Sequence, residues 1–547
     1  MKKLCLTMLI LIQVSGICIN AQISPKDKGL EAITLDVIKG QLEFLASDWT
    51  EGRATGEKGY FLAADYVASM FKVFGAAPAG DVVMGGGPRM QRNQSMLQAP
   101  RPKSYFQNFT LLENQPGAVS LLTIQKNGNE YTFEENVDFK ASEKTVSGKV
   151  QAPLVFVGYG FVDKTNGYDD FAGVDIKGKI IIRLSGFPGS GDVNSPVYKK
   201  IAGDSPRAAY EISRKKDEIL ASMGVSGVID ITQNTDIAKR WGVYKFDYNL
   251  APAEGNTRTN WKEMSLDRKE ISSAPVTLYP TGRVANLLLK DSGIDLAKYE
   301  KDASSGIVKF KPVPITGMTA TITTNVDTKR IRVRNVVAMI EGENTNEFVA
   351  VGAHLDHMGM DNGNIWNGAD DNASGTVAVM TIAKAFAASG IKPKRTIVFC
   401  AWTGEEKGLL GSEYFTLYPV AGKITDYKFY MNFDMIARDN ATDTAKNMAG
   451  ITYTKAFPKL EDITKVNKDQ YKLNLNLNIK SAEAPTGGSD YTAFSDNKIP
   501  VIAWMAAMHP DYHQPSDQVI PVNWNKMLDI IKLGYLQMWE AANGEIK

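Results

Sequence analysis

Cysteine is nearly absent from this sequence. The 547 residues contain three, and two of them, Cys5 and Cys18, lie in the first 21 positions. Cys400 is then left alone inside the apolar run Thr396–Trp402, where it cannot form an internal disulfide and reads as a small buried hydrophobe. Charge of one sign is lacking too. Lys plus Arg number 62 against 61 for Asp plus Glu, a formal net charge of +1, which gives no electrostatic footprint for nucleic acid or an acidic surface. Beyond the N-terminus no apolar stretch is long enough to cross a bilayer. Histidine is scarce, with four in all, and no internal repeat is apparent.

What is present begins with an export signal. Lys2 and Lys3 precede the apolar run Leu4–Val14, and Ile19-Asn-Ala21 stands before Gln22 as an A-x-A-type cleavage site. Residues 1–21 are therefore expected to be removed, taking the formal charge from +1 to −1 with Lys2 and Lys3. The mature chain is expected to be periplasmic or extracellular, with no membrane attachment. Lipid attachment at Cys18 is the minor alternative, because Ile17 is bulky where that processing wants Gly or Ala. The remaining length exceeds one typical domain.

Leu35, Ile38, Leu42 and Leu45 recur at helical spacing, as do Tyr60, Ala63, Val67, Met70 and Phe74. Glu51-Gly-Arg-Ala-Thr-Gly56 connects them. Residues 84–104, rich in Gly, Gln, Pro and Met, read as a long mobile loop. Short β-like runs follow over 105–140, with Asn127-Gly128 as a turn signal. Near residue 150 the texture changes. Strand-like runs at Leu154–Gly160 and up to Arg183 lead to a helical pattern over 207–223 and another strand at 224–231. From Ile331 apolar strands alternate with helices: Asn335–Ile340, Phe348–Ala353, Thr396–Trp402, Phe429–Phe433 and Val501–Trp504, with helices at Thr376–Ala388 and Met527–Ala542. That alternation predicts an α/β fold with a mostly parallel mixed sheet flanked by helices.

The chemistry-bearing residues sit at matching places in that pattern. All four histidines, His354, His357, His509 and His513, fall in the α/β region. Phe348–Ala353 delivers His354 and Asp356, followed by the adjacent carboxylates Asp370 and Asp371. Thr396–Trp402 ends in Gly404-Glu-Glu406, and Phe429–Phe433 in Asp434. The strand at Val501 leads to His513. In a parallel sheet such ends converge on one edge, where ligands bind. A set of imidazoles and carboxylates suits divalent cations, and two metals can share one bridging carboxylate. Glu405 and Glu406 suit a division of labour in which one binds metal and its neighbour acts as general base.

The segments His354-x-Asp356, Gly368–Gly375, Gly404-Glu-Glu406, Asn432-Phe-Asp-Met435 and Tyr512–Asp517 together resemble metallopeptidase family 28. That family comprises the dizinc aminopeptidases and their relatives, the glutamate carboxypeptidases and glutaminyl cyclases. The resemblance covers residues 331–547 and implies a zinc-exopeptidase-like fold. It implies two divalent ions, zinc being the expected metal, with His354, Asp371 and Asp434 holding one and Asp371, Glu406 and His513 the other. Asp371 would bridge, standing four residues before Gly375 as the family's bridging residue does. Glu405 would be the general base, and Asp356 would orient His354. His357 and His509 match no family ligand. Tyr491 stands where the family often has histidine, which leaves the roles of Asp490 and Tyr491 open. The implied activity is hydrolysis of peptide substrates, first as an aminopeptidase. A carboxypeptidase is the alternative, for which Arg438 is a candidate carboxylate holder, and a glutaminyl cyclase or a non-catalytic receptor-like relative stand behind it. Residues 145–310 resemble a protease-associated domain, a β-rich insertion. The expected organisation is a signal peptide (1–21), an N-terminal part of the peptidase domain (22–144), the insertion (145–310) and the catalytic core (311–547).

Overall fold

The computed structural model describes residues 23–83, 101–135, 137–142, 145–203, 208–231, 263–267, 275–306 and 311–544. The expected leader and the 84–100 part of the expected loop lie outside the described residues. Both early helices form where the apolar spacing places them, at Leu35–Leu45 and Lys58–Phe74. The second buries Tyr60, Ala63, Ala64, Val67 and Phe71 along one face and stops at Gly75, whose φ of +87° suits a left-handed cap. The helix Gly375–Ser389 is different, being buried almost all round. It lies under the sheet with the helices Pro25–Glu31, Leu35–Leu45, Lys58–Phe74 and Trp524–Asn543 packed about it, so its sequence carries apolar and small residues on every face.

A ten-stranded mixed sheet carries the α/β alternation. At its centre Arg395–Trp402, Asn344–His354, Tyr427–Phe433 and Val501–Met505 run parallel, in that spatial order. Val326–Ile340 pairs antiparallel with Arg395–Trp402 on one side, and Met448–Thr454 pairs antiparallel with Val501–Met505 on the other. The four parallel strands are almost completely buried from Phe348 onward in Asn344–His354 and through nearly the whole length of the other three. A strand covered on both faces reads as a continuous apolar run, and for that reason all four are recognisable in the sequence. The strands Met448–Thr454 and Asn476–Ala482 were not expected. Asn476–Ala482 sits at the sheet edge with alternating half-exposed residues and reads Asn-Leu-Asn-Ile-Lys-Ser-Ala, a pattern without an apolar run.

A second sheet of eight strands has the order 129–134, 121–126, 313–324, 148–156, 180–184, 227–231, 276–280, 139–141. The turn at Asn127-Gly128 is present, with φ of +51° and +82°, joining the hairpin Leu121–Lys126 and Asn129–Glu134. The expected domain limits need correction. The strands of the second sheet run from 121 to 324 rather than within 145–310, because Gly148–Phe156 finds its antiparallel neighbour in Val313–Thr324, while Glu263–Leu266 inside that span pairs with Phe106–Pro116 in the first sheet. Leu122, Ile124, Phe133 and Phe139 share one core with Ile180, Ile229 and Ile322. The long antiparallel pair Phe106–Pro116 and Val326–Ile340 carries the chain out to this unit and back.

Candidate metal centre

The C-terminal ends of the parallel strands meet at a cluster of buried imidazoles and carboxylates. His354 ends its strand with a relative exposure of 1 %. Its Nδ1 lies 3.0 Å from the main-chain oxygen of Asp356, which can only accept, so Nδ1 donates and Nε2 is left to face the carboxylates. That Nε2 faces Asp371 Oδ1 at 3.2 Å, Asp434 Oδ1 at 3.5 Å and Glu405 Oε2 at 3.9 Å. The other oxygen of the same carboxylate, Asp371 Oδ2, lies 3.1 Å from His513 Nε2, which is itself 3.2 Å from Glu406 Oε2. Each oxygen of Asp371 thus faces a different histidine.

The adjacent carboxylate does something else. Asp370 accepts from Ala437 N at 2.6 Å and lies 3.1 Å from His509 Nε2, turned away from His354 and His513. Asp517 accepts the main-chain N–H groups of both Asp370 and Asp371, which fixes the loop that presents them. The role expected of Asp356 is shared between two groups. Its carbonyl orients His354, whereas its carboxylate accepts from the amides of Glu405 at 3.2 Å and Glu406 at 3.4 Å.

Electrostatics follow from so many carboxylates in a small volume. Burial would raise the Asp371 carboxyl, but hydrogen bonding from His354 and His513 holds it well below its usual range. Burial and the neighbouring charge of Asp371 oppose ionisation of Glu406, yet His357 and His513 bring it down to about 2. Burial would lower His513, and its contacts with Asp371 and Glu406 push it up to about 10. Burial raises Asp434. Glu405 is pushed well up by burial, with the charges of Asp434, Glu406 and Asp490 adding to the effect. Its side chain keeps 14 % exposure against 3 % for Glu406, so of the pair it is the one within reach of solvent.

His357 is the residue sequence reasoning left unassigned. It is buried, and its Nδ1 lies 2.7 Å from Glu406 Oε1. Burial depresses its protonation, so the neutral ring donates its one N–H to Glu406 and holds that carboxylate. Tyr512 also went unassigned. Its ring stacks on His513 with centroids 3.8 Å apart, and burial beside Asp371 and Glu406 keeps its hydroxyl protonated. Its position beside His513 in Tyr512-His-Gln-Pro was the available signal. Tyr491 donates to Gly487 O at 2.9 Å, within its own loop. Asp490 is fully buried and is raised by that burial to about 7.

Whether divalent ions fit is tested by the donors themselves. Ligand atoms of His354, Asp371 and Asp434 all lie within 4.8 Å of one another, as do those of His357, Asp371 and Glu406. Asp371 Oδ2 is buried and accepts no hydrogen bond of good geometry, although it lies close to His513. A buried carboxylate oxygen packed against imidazoles without a well-aligned hydrogen bond is the arrangement a shared cation would satisfy.

Comparison with known proteins agrees with this geometry. The profile of peptidase family M28 matches residues 335–535. That segment holds the four parallel strands and the cluster at their ends, and over it the chain is similar to peptidase family M28. Over 170 residues it is 34 % identical to a probable leucine aminopeptidase 2 of Aspergillus oryzae, covering 30 % of this chain and 32 % of that protein. It is 33 % identical, over the same length and shares, to leucine aminopeptidase 2 of Trichophyton equinum. The chain thus aligns with about a third of the length of these relatives. An aminopeptidase from Aneurinibacillus sp. strain AM-1 has the same fold, with a TM-score of 0.53, 18 % identity, and coverage of 95 % of this chain and 97 % of that one. Among the described residues no helix is long and apolar enough to cross a membrane.

Proposed function

We propose that this chain is an exported dizinc aminopeptidase that removes N-terminal residues from peptides. The observation that carries the reading is the Asp371 carboxylate, whose two oxygens each face a different histidine. His354, Asp371 and Asp434 would hold one zinc, and Asp371, Glu406 and His513 the other. Bound there, two ions supply polarisation of the scissile carbonyl and a water made acidic enough to be deprotonated near neutral pH. Glu405, reachable from solvent and raised by burial, takes the proton from the attacking water and returns it to the departing amine. His357 keeps Glu406 in place, and Asp356 fixes the backbone of both glutamates.

An acidic site favours a substrate bearing a free α-ammonium group. The carboxypeptidase alternative needs a cation for the substrate carboxylate, and its candidate is engaged elsewhere. Arg438 is 8 % exposed, paired with Asp511 through Nη2, and its Nη1 lies 3.7 Å from Asp517. The relatives named leucine aminopeptidase support the same choice. The unit at 121–324 is read as a protease-associated-type accessory domain, and residues 1–21 as the export signal.

The test is hydrolysis of paired aminoacyl amides and their N-acetyl equivalents by protein stripped and reloaded with zinc. Cleavage restricted to free α-amines is the expected result. Cleavage of blocked peptides that end in a free carboxylate would replace this reading with a carboxypeptidase.

A further inference from the structure

The connection Glu51-Gly-Arg-Ala-Thr-Gly56 joins two helices far from the metal centre in sequence, yet it lies against that centre in the fold. Arg53 is completely buried. Among the described residues its guanidinium makes no salt bridge, and it donates to main-chain oxygens. Nε bonds Leu355 O at 2.8 Å, Nη1 bonds Leu45 O and Asn367 O, the latter at 2.7 Å, and Nη2 bonds Gly368 O at 2.9 Å. Leu355 stands between His354 and Asp356, and Gly368 stands three residues before Asp371. One planar fork therefore joins the two segments that carry His354 and Asp371.

Neighbouring groups tighten the same junction. Thr55 Oγ1 donates to Asp356 Oδ2 at 2.8 Å. His357 N donates to Arg53 O at 3.1 Å. Gly52, at φ +65°, packs so closely that a Cβ there would meet Gly359 O at 2.4 Å and Trp366 O at 2.6 Å. Arg53 itself holds a φ of +49°, a left-handed conformation that L-residues rarely adopt. A buried guanidinium without a carboxylate contact is expensive, and burial lowers it to about 10, opposed by the field of Asp371, Asp517, Asp356 and Glu406. It stays charged at neutral pH, inside a shell of carboxylates.

We infer that Arg53 and Thr55 are positioning residues of the metal centre. Arg53 holds the His354 and Asp371 segments in register and offsets their excess negative charge, and Thr55 anchors Asp356, which in turn fixes Glu405 and Glu406. The inference rests on the metal-binding reading above and concerns how tightly the site binds zinc.

The experiment measures zinc affinity by competition with a chelating dye, alongside the melting temperature of metal-free protein. Thr55→Val keeps the shape of the side chain and removes the donor to Asp356. Its zinc affinity is expected to fall about tenfold, the lower end for loss of a ligand's supporting partner, while Thr55→Ser retains wild-type affinity. Arg53→Lys, which keeps the charge and loses the fork, is expected to fall further. A purely destabilising change in the other core, Leu288→Ala, where Leu288 is fully buried, should lower the melting temperature and leave zinc affinity unchanged. Wild-type affinity in Thr55→Val and Arg53→Lys overturns the inference alone. A wild-type protein that binds no zinc overturns the metal reading, and the inference with it.

Discussion

Replacing Glu405 with Gln separates chemistry from structure. The change is isosteric, so no cavity opens, and the Glu405 amide keeps its bond to Asp356 Oδ1. The lost group is a carboxylate whose Oε2 stands 3.9 Å from His354 Nε2 and whose proton affinity is pushed well up, first by burial. General-base catalysis contributes about 10²–10⁴-fold, equivalent to about 2.7–5.4 kcal/mol of barrier at 1.36 kcal/mol per tenfold. Turnover of an aminoacyl nitroanilide is expected to fall by that factor, with KM changed little. Stability should move the other way in metal-free protein. A carboxyl whose folded pKa is raised loses stability as pH climbs through and beyond its unfolded value, because the folded state resists the charge. A neutral amide removes that cost, so Glu405→Gln should melt no lower than wild type at pH 8. Turnover within threefold of wild type, with two zinc ions bound, would remove Glu405 from the mechanism. Turnover lost together with zinc would assign it to metal binding instead.

Tyr430 supports the centre from below, its hydroxyl accepting from Trp402 Nε1 at 2.9 Å and donating to Asn432 Oδ1 at 2.8 Å in a fully buried setting. Tyr430→Phe leaves two buried polar groups unpaired at about 1–3 kcal/mol each, so chemical denaturation should show a loss of about 2–6 kcal/mol; a loss under about 0.5 kcal/mol would refute the pairing. In the second unit, Asp170 is raised by burial to about 7. Its folded value exceeds the unfolded one, so its contribution to stability is present below about pH 4 and lost as pH rises towards 7. Asp170→Asn should therefore raise the melting temperature at pH 7.5 relative to wild type and change it little at pH 4, which differential scanning calorimetry at the two pH values would show. Chelation should lower the melting temperature of the zinc-loaded protein and zinc should restore it, since binding to the folded state alone stabilises by mass action. An unchanged melting curve would mean that the buried carboxylates are stable without a cation.

The alternation of buried runs was legible because burial on both faces writes itself into composition. Thr396–Trp402 and Phe348–Ala353 are apolar for nearly every residue inside the sheet, and each announces the polar residue at its end. Cys400 proves buried in that run, as its apolar neighbours implied. The motifs along the chain likewise named imidazoles and carboxylates that the fold brings close together. Edge strands such as Asn476–Ala482 carry no such mark, since one side faces solvent.

The sequence by itself determined that the fold is α/β, that polar groups stand at the ends of its central strands, and which carboxylates and imidazoles could meet. Tertiary structure alone decided which neighbours actually do so. Asp370 and Asp371 are chemically identical and adjacent, yet the amides of their loop are gripped by Asp517, so that one turns to His509 and the other to His354 and His513. Arg438, a free cation on paper, is tied to Asp511. His357 and Arg53 gain their roles from main-chain and side-chain groups distant in sequence. The physical reason is common to all four. Residue type and local spacing are set by nearest neighbours along the chain, whereas the direction of a buried polar side chain is set by the hydrogen-bond partner that folding brings to it.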